Sequence, residues 1–508
     1  MLITHLSHSN RKKIQTMQNN YYIDDITWND LSMEQVYEKI NSADSSVGQE
    51  YLKKILRTTT CDQQALEKRS ARARWLTANA DAKTKLRKCF KELGKTKKIS
   101  LYDYIFRFNE VKQAGNVLHY LLIVLLLAAI VLIFISPVIG VLAVVLMFAV
   151  NISTYFKFKA QIEGYFMCFK YIVKMLQTAS KICRLGIPAD SELTDLIQLL
   201  SEDVRQLAAI KRGSWLLTNS VSGSLVDVLM DYVRMLFHVD IIRFNSMRKI
   251  AEAKASVIDE LFCTLGELEA DICISDFREQ ADGWCKPSFD QKTRSVSASG
   301  MYHPLTHQIV KNDMSFRRSV LLTGSNASGK STFLKQLAIN QIFAQTIYTC
   351  LADEFHTRFY NVMSSMALTD NILGNESYFI VEIKSLKRIL DAVDDSDGAV
   401  PVMCFIDEVL RGTNTKERIA ASSQILRSLS NRNALCFAAT HDIELTSLLS
   451  DNMDNYHFEE YVDGNDVNFD YKIKKGPAMT HNAIKLMQSY GFDRNITENA
   501  LQMLEDTL

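Results

Sequence analysis

Apolar and polar positions along the chain fall into three regimes with different periods. From Val117 to Ile152 nearly every residue is apolar, and only His119, Tyr120, Ser136-Pro137, Gly140 and Asn151 interrupt the run. That exceeds the roughly 20 residues of one membrane span and is too long for a soluble core helix. Proline disfavours helix at the residue before it and costs about 3 kcal/mol inside one. The break therefore falls at Ser136-Pro137, and the pattern predicts a hairpin of helices over roughly 118–135 and 138–153. The alternatives are one long tilted helix and a hairpin buried within a soluble protein; the lack of any charge in the run argues against the second. Upstream, helical spacing surrounds Gly48, Leu52 and Leu56. After Ser299, short apolar runs alternate with helical patterns, as in a parallel α/β sheet.

These regimes predict a polar segment at 1–20, a helical region at 21–116, the hairpin at 117–153, long helices at 154–298 and an α/β domain at 299–508. Asp276 to Ser299 reads as the linker into the last of these, with Gly283, Trp284 and Pro287 inside it. A length of 508 residues is a prior for about three domains, and 47% apolar composition is ample for packed cores.

Charge refines the picture only locally. The 58 Lys and Arg balance 58 Asp and Glu, so there is no global pull toward nucleic acid. Between Tyr51 and Lys112, however, 17 basic residues face 6 acidic ones, with a cluster at Lys83, Lys85, Arg87, Lys88, Lys91, Lys95, Lys97 and Lys98. This region reads either as a solvated face beside a membrane or as a DNA-binding surface. Basic residues return at Lys157, Lys159, Lys170 and Lys174, so both flanks of the hairpin and both termini are expected on the cytoplasmic side. Tyr155, Phe156, Phe158, Tyr165, Phe166, Phe169 and Tyr171 interleave with those lysines. Interfacial anchoring explains them more simply than base stacking. Ten cysteines without a C-x-x-C pair predict neither a disulfide framework nor a zinc site, and the polar first twenty residues lack the pattern of a cleavable signal peptide.

The chemistry is concentrated in the last regime. Residues 321–331 read LLTGSNASGKS and place Gly324, Gly329, Lys330 and Ser331 in the spacing G-x-x-x-x-G-K-[ST]. Val320-Leu321-Leu322 feeds that loop as a buried strand would, and Leu334, Leu337, Ala338 and Ile342 continue it as one apolar helical face. Such a loop cradles phosphates with its amides, the lysine reaches the β- and γ-phosphates, and the serine hydroxyl can ligate magnesium. A second strand, Val402 to Ile406, ends in Asp407-Glu408 at the sheet edge where ligands bind in such folds. Asp407 is placed to hold magnesium and Glu408 to orient or deprotonate water, although an Asp-Glu pair at a strand end is often a helix cap. A third strand, Ala434 to Ala439, ends in Thr440-His441, where a histidine can contact the γ-phosphate.

Four runs then carry a resemblance: TGSNASGKST (323–332), SYFIVEI (377–383), FIDEVLRGTNT (405–415) and ATHDIEL (439–445). Their order and spacing resemble the ATPase domain of the MutS DNA mismatch-repair family, within the ABC-type ATPase class. Tyr302-His303-Pro304-Leu305 is similar to the entry of that domain, 471–504 to its closing segment, and 45–69 more weakly to the start of the MutS core. The fold class expected is thus an α/β P-loop ATPase domain after a mostly helical MutS-core-like region that carries a transmembrane hairpin. The resemblance implies that Gly324, Asn326, Ser328, Gly329, Lys330, Ser331 and Thr332 bind ATP and Mg2+, that Ser331 and Asp407 hold the metal, and that Glu408, His441 and Lys330 are catalytic. It further implies a homodimer in which Ser377 reaches the ATP of the opposing subunit, and DNA as a partner beside the membrane lipids. Glu382 matches a family position whose chemistry the residues do not reveal.

Two departures stand out. Glu417-Arg418 follow Lys416 where the family commonly has an Asp-Gly pair, which bears on how the dimer interface couples to hydrolysis. The N-terminal domain that reads mispairs with a Phe-x-Glu wedge has no counterpart, and Phe108-Asn109-Glu110 spells that tripeptide only beside the hairpin, as a coincidence. Two functions follow: an ATPase whose closure acts on DNA, or one whose partner is protein or lipid. A transporter is disfavoured, because two short spans per chain hardly build a path.

Overall fold

The computed structural model describes residues 20–96, 115–213, 225–325, 328–366, 378–396, 400–463, 466–478, 487 and 491–507. Phe108-Asn109-Glu110, Lys97, Lys98, Asn326 and Ser377 lie outside these residues.

The helical half begins with β1 (Asn20–Tyr22), α1 (Asp25–Asp30), α2 (Met33–Ile40), α3 (Ser46–Arg57), β2 (Thr58–Thr60), α4 (Gln63–Ala78) and α5 (Ala80–Leu93). The apolar pair follows as α6 (Val117–Ile135) and α7 (Pro137–Ile182), then α8 (Thr194–Gln206), α9 (Ala208–Gly213), α10 (Leu225–Phe237), α11 (Val239–Ala253) and α12 (Ala255–Gln280). The chain turns at Ser136, with Pro137 as the first residue of α7, where its missing N–H costs nothing. Gly140 lets the two helices touch: a β-carbon there would stand 2.4 Å from the backbone nitrogen of Ile133. Both helices are long and apolar enough to cross a membrane, Val117–Ile135 whole and α7 over Pro137–Ala160. The second does not stop near residue 153 but runs unbroken for 46 residues, because no proline follows Pro137 before Ile182.

Helix α12 is the axis of this half. Tyr51 of α3 lies where a side chain at Gly266 would have to go, 2.5 Å from a β-carbon built there, and Gly48 gives the same room to the Glu269 carboxylate. Glu269 in turn accepts from the amides of Asp44 at 2.7 Å and Ser45 at 3.0 Å, capping the start of α3. The residues expected as a linker begin inside this helix. Arg278 is buried and donates to Thr349 Oγ1, to Ser70 and to the carbonyls of Ile347 and Tyr348, with its guanidinium 4.3 Å above the Trp284 ring. Cys285 and Cys350 exchange two backbone hydrogen bonds of 2.9 Å. Packing and hydrogen bonds override the turn-like composition.

The other half holds β3 (Ser288–Phe289), β4 (Val296–Met301), β5 (Asn312–Phe316), β6 (Ser319–Thr323), α13 (Lys330–Thr346), β7 (Glu354–Thr357), β8 (Asn361–Ser365), α14 (Tyr378–Asp394), β9 (Val402–Asp407), α15 (Thr415–Ser430), β10 (Ala434–Ala439), α16 (Glu444–Leu448) and β11 (Met453–His457). It closes with β12 (Glu460–Asp463), β13 (Asp466–Phe469), β14 (Lys474–Lys475) and α17 (Arg494–Thr507). The main sheet runs β14-β11-β6-β10-β9-β8, parallel except for β14. Strands β6 and β10 are buried along their whole length, which explains their unbroken apolar sequences. A smaller sheet, β3-β7-β4-β5, lies beside it. The two halves share one core: Trp28, Leu52 and Ile274 belong to the same buried cluster as Phe333, Phe405 and Phe437. Helix α1 closes the exposed edge of the main sheet, where Thr27 Oγ1 accepts from the Ser364 amide at 3.1 Å and Asp30 accepts from Ser364 Oγ at 2.7 Å.

Candidate nucleotide-binding site

Strands β6, β9 and β10 are neighbours in the sheet, so their carboxyl ends bring together three segments separated in sequence. Beyond β6, the loop reaches α13 through Gly324 (φ 143°) and Gly329 (φ 108°), conformations that L side chains rarely adopt. A β-carbon at Gly324 would sit 2.8 Å from the Phe458 carbonyl oxygen. Lys330 opens α13 and is 5% exposed. Its ammonium donates to the carbonyls of Gly324 and Ser325, both at 2.8 Å, and so ties the two ends of the loop together. Burial pulls its pKa below the usual lysine value, against the attraction of Asp407, Glu408 and Glu460. Thr332 sits exposed on the first turn of α13.

The Ser331 hydroxyl stands close enough to Asp407, the last residue of β9, to favour its carboxylate. Burial raises the Asp407 carboxyl above the usual range, while that hydroxyl and the Lys330 ammonium pull it down. Ser328 is buried against Gly324, and its Oγ has no partner among the described residues. A carboxylate and two hydroxyls are hard oxygen donors of the kind magnesium takes, so Ser331 and Asp407 fit the metal role expected of them. Glu408 stands in the left-handed region at φ 57°. One of its oxygens lies 3.0 Å from His441 Nε2 and the other 2.7 Å from Arg411 Nε. The general-base candidate, the γ-phosphate-sensing candidate and the metal pair thus converge.

Other contacts here escaped the sequence pattern. Ser325 Oγ donates to Glu460 at the start of β12, and the Tyr471 ring closes over the loop, its Cδ1 3.1 Å from where a β-carbon of Gly329 would be. Arg418, one of the unusual pair after Lys416, grips Asp442 with two hydrogen bonds of 2.9 and 2.6 Å beside His441. Asp442 and Tyr471 lie within quoted segments that gave them no role, and Glu460 belongs to no pattern that would have found it.

The basic region around α4 and α5 is partly neutralised from within. Arg72 pairs with Glu267 and Asp271, Lys83 with Asp276 and Glu279, and Arg87 with Asp276, all on α12. Lys88, Lys91 and Lys95 remain exposed.

Comparison with known proteins places these elements. The family model for MutS domain V matches residues 320–507. The DNA mismatch repair protein MutS of Thermus aquaticus is 26% identical over 267 residues, covering 52% of this chain and 32% of that protein. MutS of Natronomonas pharaonis is 27% identical over 273 residues, 52% of this chain and 31% of the relative. MutS of Pseudothermotoga lettingae is 29% identical over 234 residues, 44% and 28% respectively. The chain spans about a third of the length of these relatives. The glycine loop, the Asp-Glu strand end and the Thr-His strand end all lie inside the matched region, so the C-terminal part of the chain is a MutS domain V, and the chain is similar to MutS proteins over about half of its length.

Proposed function

We propose that this protein is a membrane-anchored MutS-type ATPase that hydrolyses ATP at the site between β6, β9 and β10. The observation that carries this reading is the contact of Ser331 with Asp407 directly beside the Glu408–His441 pair. In this reading the amides of the loop from Gly324 to Gly329, Asn326 and Ser328 included, bind the phosphates, and Lys330 turns from the loop carbonyls toward the β- and γ-phosphates. Thr332 and the first turn of α13 complete that cradle. Ser331 and Asp407 hold magnesium, which when bound neutralises phosphate charge. Glu408 takes the proton of the water that attacks the γ-phosphorus as the bond to the ADP oxygen breaks. To do so it must exchange part of its contact with His441 and Arg411 for the water.

The same reading includes a homodimer with Ser377 contributed to the opposing site, a hairpin of α6 and Pro137–Ala160 in the bilayer, and the ATPase on the cytoplasmic side. ATP turnover is coupled to DNA. A second reading, with a protein or lipid partner and no DNA, is favoured by the ion pairs that turn Arg72, Lys83 and Arg87 inward.

The test is the ATPase rate of detergent-purified protein alone and with homoduplex, mismatched and four-way-junction DNA. Lys330→Ala should lose nucleotide binding. Glu408→Gln should keep binding and lose at least about a hundredfold in kcat. Wild-type turnover by Glu408→Gln would refute the role of Glu408; a rate indifferent to every DNA would select the second reading.

A further inference from the structure

Glu382 stands on the second turn of α14, buried at 3% exposure, and no step described above uses it. Its Oε1 accepts from the amide of Leu410 at 2.5 Å and of Arg411 at 3.4 Å. Those amides belong to the short connection from β9 to α15, the segment that carries Glu408. Two residues in this connection, Glu408 and Leu410, stand at φ 57° without being glycine. Each such residue costs of order 1 kcal/mol and persists only where its surroundings hold it.

The holding contacts can be named. The Glu408 amide donates to the Ala439 carbonyl at 3.0 Å, and Ser422 Oγ donates to the Val409 carbonyl at 3.2 Å. Helix α14 supplies the rest: the β-carbon of Phe379 packs 3.3 Å from where a side chain at Gly412 would begin, and Glu382 collects the two amides between. The second of these belongs to Arg411, whose side chain lies on the Glu408 carboxylate. Glu382 keeps its other oxygen buried without a partner among the described residues, a cost that an apolar side chain would avoid. A carboxylate is tolerated here because two inward-facing amides need an acceptor.

We propose that Glu382 is a positioning residue for hydrolysis: from α14 it fixes the left-handed connection that aims Glu408 at the γ-phosphate, without touching nucleotide itself. The inference rests on the hydrolytic role given to Glu408 above. A displacement of about 1 Å at a reacting group can cost about a hundredfold in rate, so the effect belongs in kcat and not in affinity.

The experiment compares full-length wild type, Glu382→Ala and Glu382→Gln by ATP turnover, by binding of a fluorescent ATP analogue, and by hydrogen exchange of the peptide covering 408–412. Glu382→Ala should lose about a hundredfold in kcat, hold its nucleotide affinity within about twofold, and exchange faster at 408–412 but not in β9 or β10. Glu382→Gln presents an amide oxygen to the same two N–H groups and should restore all three readouts to within about threefold of wild type. Unchanged turnover and exchange in Glu382→Ala would overturn the proposal. So would a loss of affinity together with faster exchange across the whole sheet, which marks a residue needed only for folding. If wild type itself hydrolysed no ATP, the role of Glu408 would fail; the exchange of 408–412 would then decide the hold of Glu382 on that connection, and no acceleration would overturn it.

Discussion

A buried ammonium is costly unless its protons find acceptors, and Lys330 finds two in the carbonyls of its own loop. The same contacts that make the lysine tolerable hold Gly324 and Ser325 against the first residue of α13. Asp203 on α8 is the opposite case: it is buried, its Oδ2 has no partner among the described residues, and burial with Glu260 and Glu202 nearby pushes its pKa up from 3.8 to about 7. The folded chain therefore binds a proton there that the unfolded chain has released, and the stability from neutral Asp203 is complete below pH 3.8 and lost as pH rises through about 7. Asp203→Asn should leave the melting temperature unchanged near pH 4 and raise it by about 2–4 °C per kcal/mol recovered at pH 8, as calorimetry would show. Equal pH slopes in the two proteins would refute this. The candidate site residues were legible in the sequence, because Lys330 and Ser331 follow the glycine loop and Asp407, Glu408 and His441 sit at strand ends, beside the turns that aim them. Glu382, Arg411 and Glu460 were not legible in role, because their partners are set by how α14, the β9–α15 connection and β12 pack.

Helix α12 shows the same logic over 26 residues. Its sequence falls in the region expected to form long helices; in the fold it is buried from Ile258 to Arg278 along most of its faces, and its acidic side chains meet the basic residues of α4 and α5. Arg278 ties it to α4 and to the end of α13, the helix that carries Lys330. Arg278→Met keeps the bulk but removes the donor from three carbonyls and two hydroxyls, so it should cost about 2–4 kcal/mol, measured as a lowered denaturant midpoint. A midpoint equal to wild type would remove Arg278 as the tie. Helix α7 is the other long element: at 46 residues it extends about 69 Å and joins the apolar hairpin to the helical core without a joint. Phe169, Ile172 and Leu176 on its second half are core residues alongside Phe262 and Leu265 of α12.

At the scale of the whole molecule, one continuous helix leads from the apolar hairpin into the helical core around Phe169, Phe262 and Leu265, which is distinct from the cluster that packs Phe333 of α13. If the hairpin lies in lipid, wild type should stay with membranes through an alkaline carbonate wash. A double change, Val124→Lys with Val131→Lys on the exposed apolar face, adds about 2.5–3.5 kcal/mol per lysine near the centre of a span and should release the protein from the membrane fraction. Release of wild type by the wash would refute the anchor. The chain alone determined what depends on neighbours within a turn or a strand: the glycine loop, the Asp-Glu and Thr-His strand ends, and the apolar run with its break at Pro137. Tertiary structure decided which distant segments meet: Thr27 and Asp30 on Ser364, Glu382 on Leu410, Arg278 on Tyr348, and basic α4 and α5 on acidic α12. Local patterns follow from backbone sterics and burial period, whereas these pairings exist only once packing has brought together groups that no spacing rule connects.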